Sequence, residues 1–230
     1  MSTKPVRVSQ IERDKLSGKI LDVVVGGDQN EIFSIHERLI RASSPFFDKA
    51  MSRKWKESLE RTIKLPDNEP KIFQLYVHWL YYGTLPVLCD EPGLCGNAEY
   101  LELVKAYTLG DKLLDSRFQN AVIDAIVEKS QSKARDGRIW FPVGSPIEYA
   151  YSNTNESSPI RKLLLDMYVH RGHRYWLHDY GNSASIPHSF LLGLASRFFD
   201  QRDGHCESET KIDAPRYHIH KENGGNAKND

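Results

Sequence analysis

Asp22-Val23-Val24-Val25-Gly26-Gly27, followed by Phe33-Ser34-Ile35-His36 and Ser44-Pro45-Phe46-Phe47, is the stretch that decides how this chain folds. Ile20 to Val25 is a short, β-branched apolar run stopped by Gly26-Gly27, the pattern of a buried strand. Gly26-Gly27-Asp28-Gln29-Asn30 supplies residues that tolerate positive φ and so suits a hairpin loop. In the returning strand Phe33 and Ile35 take one face and Ser34 the other, because side chains alternate along extended backbone. His36 to Ala42 reads as a helix. Ser43-Ser44-Pro45 opens another, with serine to cap free N–H groups and proline preset for the first helical position.

Working outward, Ile63 and Leu65 alternate in a third short strand, and Pro66 to Pro70 is a turn. Ile72, Leu75, Tyr76, Trp79 and Leu80 then recur at helical spacing up to Gly83, which stops the helix. Pro86 to Asn97 carries turn formers and two cysteines and reads as an exposed loop. Leu103, Val104, Tyr107 and Leu114 mark a further helix. Ser116 to Gln119 has capping-box spacing and starts another, with Phe118, Ala121, Val122, Ala125 and Ile126 on its face. Strands early and helices late predict an α+β fold: a small three-stranded sheet, about five helices, and further helices toward the C-terminus.

A boundary falls near Ser130-Gln131-Ser132. Beyond it, Asn153 to Pro159 is a polar linker ending in a cap and an N1 proline. Leu163, Leu164, Met167 and Tyr168 define one amphipathic helix, and Phe190, Leu191, Leu194 and Phe198 another. The expected division is a flexible arm over 1–17, a domain over 18–130, a helical extension over 131–200 and a disordered tail over 201–230.

The 230 residues carry 31 Lys plus Arg and 31 Asp plus Glu, so the net charge is zero. Nucleic-acid binding usually leaves a basic excess, so this balance argues against DNA or RNA as the main ligand. Hydrophobic content of 40% supports a real core. Cys89, Cys95 and Cys206 are odd in number and irregularly spaced, which does not suit a disulfide framework. No apolar run approaches the ~20 residues that would cross a bilayer, and Met1 to Pro5 lacks the apolar core of a signal peptide. The expectation is a reducing intracellular setting, nucleus or cytoplasm, with no membrane association.

The ordered set of motifs resembles the BTB/POZ family, whose domains read D-V-x-[VI] in a strand, F-x-[VAI]-H, an apolar pair, then S-x-[FY]-F. Asp22 to Val25, Phe33 to His36, Leu39-Ile40 and Ser44 to Phe47 fill those positions, and Ile63-Lys64-Leu65 matches the third strand. Trp79-Leu80-Tyr81-Tyr82-Gly83 resembles the family's helix end, and the resemblance runs from about Gly18 to Ser130. The two later helices, opening at Ser158-Pro159 and Phe190-Leu191, look like the C-terminal extension of small fungal BTB proteins.

The resemblance implies a noncatalytic protein-interaction module without cofactor or metal, acting as a homodimer. Leu16, Ile20, Leu21, Leu39 and Ile40 resemble the family's dimer surface; the bland alternative is an ordinary intrachain core. Many members carry Lys or Arg after the histidine, facing an aspartate in a charged pocket. Here that position is Glu37, with Arg38 beside it, so Asp22 loses the usual partner unless Arg38 or Arg41 compensates. Trp55-Lys56-Glu57 matches the φ-x-E pattern of cullin-binding members, in which an aromatic enters a partner's cleft and the glutamate orients it. The alternative is that Trp55 packs on its own helix. The leading reading is a dimeric adaptor that recruits a client protein to a cullin-RING ubiquitin ligase. The runner-up is a scaffold or transcription-associated dimer that does not bind cullin.

Three further features have plainer readings. His170, His173 and His178 suggest zinc, but Gly172 interrupts their helix and Tyr168, Tyr175, Trp176 and Tyr180 crowd it, which fits aromatic packing better. His205-Cys206 and His218-Ile219-His220 form only a weak metal-binding pattern. Gly26-Gly27-Asp28 lacks both the G-x-G-x-x-G spacing and a P-loop lysine, and no nucleophile or carboxylate pair stands in a recognisable catalytic setting.

Overall fold

The computed structural model describes residue 7 and residues 9–52, 59–177, 186–202 and 212–219. The chain divides into two compact units, one of residues 1–88 and 105–118 and the other of residues 89–104 and 119–230. Among the described residues no helix is long and apolar enough to cross a membrane.

In the first unit a short helix α1 (Ile11–Asp14) precedes β1 (Ile20–Val25) and β2 (Glu31–His36). These pair antiparallel from Ile20 opposite His36 to Val25 opposite Glu31. β3 (Thr62–Leu65) adds on the other side of β1, parallel, with Val23 opposite Ile63, giving the order β2-β1-β3. Leu21, Val23 and Val25 are fully buried and alternate with Ile20, Asp22 and Val24, which is the period expected of a sheet with one face on the core. The hairpin requires glycine at Gly26: its φ is 99°, and a Cβ there would lie 3.0 Å from the Gln29 carbonyl oxygen. The sheet, three helices and the chemistry of their junctions follow the α+β reading.

Those helices are α2 (Glu37–Ser43), α3 (Pro45–Ser52) and α4 (Pro70–Tyr82). Ser44 links the first two: its hydroxyl donates to the Leu113 carbonyl at 2.6 Å and accepts from the Phe47 N–H at 3.4 Å. α4 starts with proline in its first turn and ends at Gly83 in the left-handed region, with φ 68°. Its buried face brings Phe73 to 5.1 Å from Phe33 and 5.8 Å from Tyr76 between ring centres, and Tyr76 to 4.9 Å from Phe118.

α5 (Gly93–Lys112) and α6 (Ser116–Lys129) each contribute residues to both units. The sequence predicted a loop through Asn97, yet the helix begins at Gly93. Gly96 sits so close over the Glu91 carbonyl that a side chain there would have no room, so a glycine-rich stretch that looks like a breaker here permits a tight first turn. The cap of α6 also differs from the expected Ser116 box. Asp115 accepts from the Phe118 N–H at 3.0 Å, while its other oxygen accepts from Tyr76 at 3.0 Å and from Ser43. An aspartate one residue earlier thus closes the helix and ties three elements of the first unit together. Burial, and then the adjacent Asp115 carboxylate, push the Tyr76 phenol well up, so it remains a hydrogen-bond donor.

The second unit contains α7 (Ser145–Asn153), α8 (Pro159–Arg171), a 3₁₀ turn (Arg174–Leu177), α9 (His188–Arg202) and a second 3₁₀ turn (Ala214–Tyr217). Ile147, Ala150, Ile160, Leu163, Leu164, Met167 and Phe190 are fully buried. Arg161 reaches from α8 to the carbonyl end of α7. It donates to the Tyr151 oxygen at 2.6 Å and the Thr154 hydroxyl at 2.9 Å, with its guanidinium 4.6 Å from the Tyr151 ring centre. A cation placed on orphan helix carbonyls satisfies them and meets the negative end of the helix dipole.

The tail departs from the reading of disorder beyond Gln201. α9 continues to Arg202, and residues 212–219 are held in place. Tyr217 is buried and donates to Asp166 at 3.1 Å, Asn120 accepts from the Ile219 N–H at 2.7 Å, and His218 lies 2.8 Å from Asp124. Low local hydrophobicity hid this segment, because one buried aromatic and a few specific hydrogen bonds hold it.

Candidate functional site

The face of the sheet turned away from the core carries Ile20, Asp22, Val24, Ile32, Ser34 and His36, by the strand alternation and register. Apolar side chains are left open on it. Ile20 is 42% exposed and Ile32 65% exposed, and Leu16 in the preceding turn is 53% exposed. Scattered exposed aliphatics are ordinary, but Ile20 and Ile32 stand on the solvent face of a short sheet where polar residues are usual.

The five residues expected at a dimer surface separate into two sets. Leu16 and Ile20 present surface, whereas Leu21 and Ile40 are fully buried within the unit and Leu39 is nearly so. The last three fill the core beneath the sheet and α2. Ile32, opposite Val24, belongs with the exposed set and went unnoticed in the sequence. Its signal was the alternation itself, since Phe33 and Ile35 inward place Ile32 outward.

Asp22, Glu37 and Arg38 do not converge. Asp22 accepts a hydrogen bond from Ser34 at 2.6 Å across the strand pair, and Arg38 donates to Ser17 at 3.0 Å. Glu37 is held by two arginines: Arg41, one helical turn on, at 2.9 Å, and Arg61, which lies just before β3. Arg41 also pairs with Asp48 at 2.9 Å, so the charges are balanced within one chain. Burial acts to raise the Glu37 pKa, and the hydrogen bonds and charges of Arg41 and Arg61 outweigh it, leaving a net lowering. Arg61, with φ 52°, also gives its carbonyl to the Asp22 N–H at 3.0 Å. The sequence suggested Arg38 or Arg41 as a compensating partner for Asp22, but Arg38 donates to Ser17 and Arg41 pairs with Glu37. Arg61 was missed because its approach depends on β3 joining β1.

His36 is fixed beside this face. Its Nδ1 lies 2.8 Å from the Tyr81 hydroxyl, and the same hydroxyl accepts from the His36 N–H at 3.2 Å. The histidine and the helix-end tyrosine, distant in sequence, thus form one polar corner.

A model of the BTB/POZ domain matches residues 12–117. Residues 12–117 form a BTB/POZ domain. Such a domain is a protein-interaction module. Among curated proteins, the chain is 34% identical over 70 residues to the Kelch repeat and BTB domain-containing protein 4 of Mus musculus. It is 33% identical over 70 residues to the proteins of that name in Homo sapiens and Pongo abelii. Each match covers 30% of this chain and 13% of the relative, so the likeness extends to a small part of those proteins.

Trp55 and Glu57 lie outside the described residues, which stop at Ser52 and resume at Leu59 within this stretch of the BTB/POZ domain. His178, His205, Cys206 and His220 also lie outside them. Of the remaining histidines singled out by the sequence, His173 packs against Tyr175 at a tilt with ring centres 4.9 Å apart, and His218 pairs with Asp124. Among the described residues no three His, Cys, Asp or Glu side chains gather in a metal-binding arrangement.

Proposed function

We propose that this protein is a noncatalytic, homodimeric BTB/POZ adaptor that brings client proteins to a cullin-RING ubiquitin ligase inside the cell, in the nucleus or cytoplasm. The observation that carries self-association is the open apolar pair Ile20 and Ile32 on one face of the sheet, with Leu16 exposed in the turn before β1. Covering it with a second copy removes that surface from water, at roughly 25 cal/mol per Å² of apolar area. In the first unit Glu37 is already paired within the chain, so association need not strand that ion. On the open sheet face Asp22 accepts from Ser34, while Lys64 is exposed.

The cullin step rests on Trp55-Lys56-Glu57, which supplies an aromatic anchor and a carboxylate two residues apart. Capture of the full chain by a cullin N-terminal domain tests it. Wild type should be retained, and the Trp55→Ala, Glu57→Ala double variant should be lost. Equal capture of both, or capture of neither, would remove the adaptor reading. Sedimentation at micromolar concentration should show a dimer, and Ile20→Asp with Ile32→Asp should convert it to monomer while leaving the fold intact.

A further inference from the structure

The second unit holds an open cleft of about 470 Å³. One wall is the segment Arg138-Ile139-Trp140-Phe141 and the other is Tyr175-Trp176. The first wall is pinned from α5: Tyr100 donates to the Trp140 carbonyl at 2.9 Å, and Asn97 accepts from the Val143 N–H at 3.1 Å. The second wall is fixed by ring packing, with Trp176 5.2 Å from Phe141 and 5.1 Å from Tyr168, which in turn lies 4.9 Å from Phe190. Both walls are therefore preformed, and little order remains to be imposed on binding.

Among the described residues that line the cleft, Arg138 is the one charged side chain. Its guanidinium makes no hydrogen bond or ion pair among the described residues. Arg174 lies 4.8 Å from the centre of the Tyr175 ring and donates to its hydroxyl at 2.8 Å. Asp136 is outside the lining; its carboxylate accepts from the Trp140 indole N–H at 3.2 Å and 3.3 Å and from the Arg138 backbone N–H at 3.0 Å. Aromatic walls alone could accept a cation on their ring faces. The unpaired arginine in the lining opposes that and favours a carboxylate.

We propose that this cleft docks an acidic peptide segment of a partner protein, with one large apolar side chain between the aromatic walls and a flanking carboxylate on Arg138. Aromatic clefts with an arginine at the rim concentrate binding energy in few residues. The inference rests on the adaptor reading only in taking the segment to be a client's.

The test uses the full chain and fluorescein-labelled twelve-residue peptides with a central Phe, Trp or Leu between Glu and Asp flanks. Matched peptides carry Lys flanks or a central Ser. Anisotropy titrations should show the acidic, apolar-centred peptides binding at least about tenfold more tightly than either control. Arg138→Glu should abolish the preference for acidic flanks, Arg138→Lys should retain most of it, and Tyr175→Ala should weaken the preference for an apolar centre. Arg138 and Tyr175 are both exposed, so these variants keep the fold. Equal binding of acidic and basic peptides, or a preference untouched by both Arg138→Glu and Tyr175→Ala, would overturn the assignment. Peptide binding that persists in the Trp55→Ala, Glu57→Ala variant supports the cleft whether or not cullin is captured, so the two readings fail separately.

Discussion

In the first unit the side chains that meet at the centre are mostly hydrocarbon: Phe33, Phe47, Phe73 and the Tyr76 ring pack beneath Leu21, Val23 and Val25. The buried Asp115 is met there by the neutral hydroxyls of Tyr76 and Ser43. In the second, several closures depend on charged or polar groups buried in pairs. Lys129 donates to Glu99 at 2.6 Å with both side chains almost out of contact with water. Asp166 is nearly buried between Tyr217 at 3.1 Å and Arg197 at 3.2 Å. A hydrocarbon core tolerates exchange of similar volumes, whereas a buried pair fails when one member is removed. The two units should therefore differ in which substitutions damage them.

Denaturation followed through single-tryptophan variants, keeping Trp79 in the first unit or Trp176 in the second, can break that comparison. Phe73→Ala should have the largest effect, about 4 kcal/mol, seen first through Trp79. Equal shifts at both tryptophans would show that the units unfold as one. Glu99→Ala strands a buried ammonium and should cost about 3 kcal/mol, seen through Trp176. Replacing both partners, Glu99→Leu with Lys129→Met, should recover most of that loss; no recovery would mean that packing at this site matters more than its charge.

Two smaller effects sharpen the contrast. Tyr217→Phe removes one buried hydrogen bond and should cost about 1 kcal/mol, with faster hydrogen exchange at the Ile219 amide. Glu37→Gln in the first unit should cost under about 1 kcal/mol at pH 7, since its arginine partners are partly exposed. The Glu37 pKa is lowered on folding, so its contribution is fully present above the unfolded carboxyl value of about 4.3. That contribution is lost as pH falls through the folded value. Stability curves of wild type and Glu37→Gln should therefore converge in acid; a constant gap would assign the loss to packing.

Periodicity and punctuation made much of the first unit legible. Strict alternation in β1, the Gly26 turn, the proline start of α4 and its Gly83 stop each reflect a local rule that the sequence displays directly. What escaped reading depends on residues far apart in the chain. Asp115 displaces Ser116 as a cap because Tyr76 and Ser43 come to meet it. Arg61 reaches Glu37 only once β3 lies beside β1. In the second unit the aromatic crowding around Tyr168 and Trp176 was legible, but its opposite wall was not. Arg138 to Phe141 is a short run between helices, and nothing local ties it to Asn97 or Tyr100.

The Glu37 cluster has a consequence for how two copies would meet. Because Arg41 and Arg61 neutralise that carboxylate inside one chain and Asp48 balances the second arginine charge, this cluster of described residues leaves no unpaired charge for a neighbour to complete. Attraction between copies then falls to hydrocarbon, which added electrolyte does not screen. The proposed dimer should keep its sedimentation coefficient from low to molar salt, where an assembly held by ion pairs would come apart.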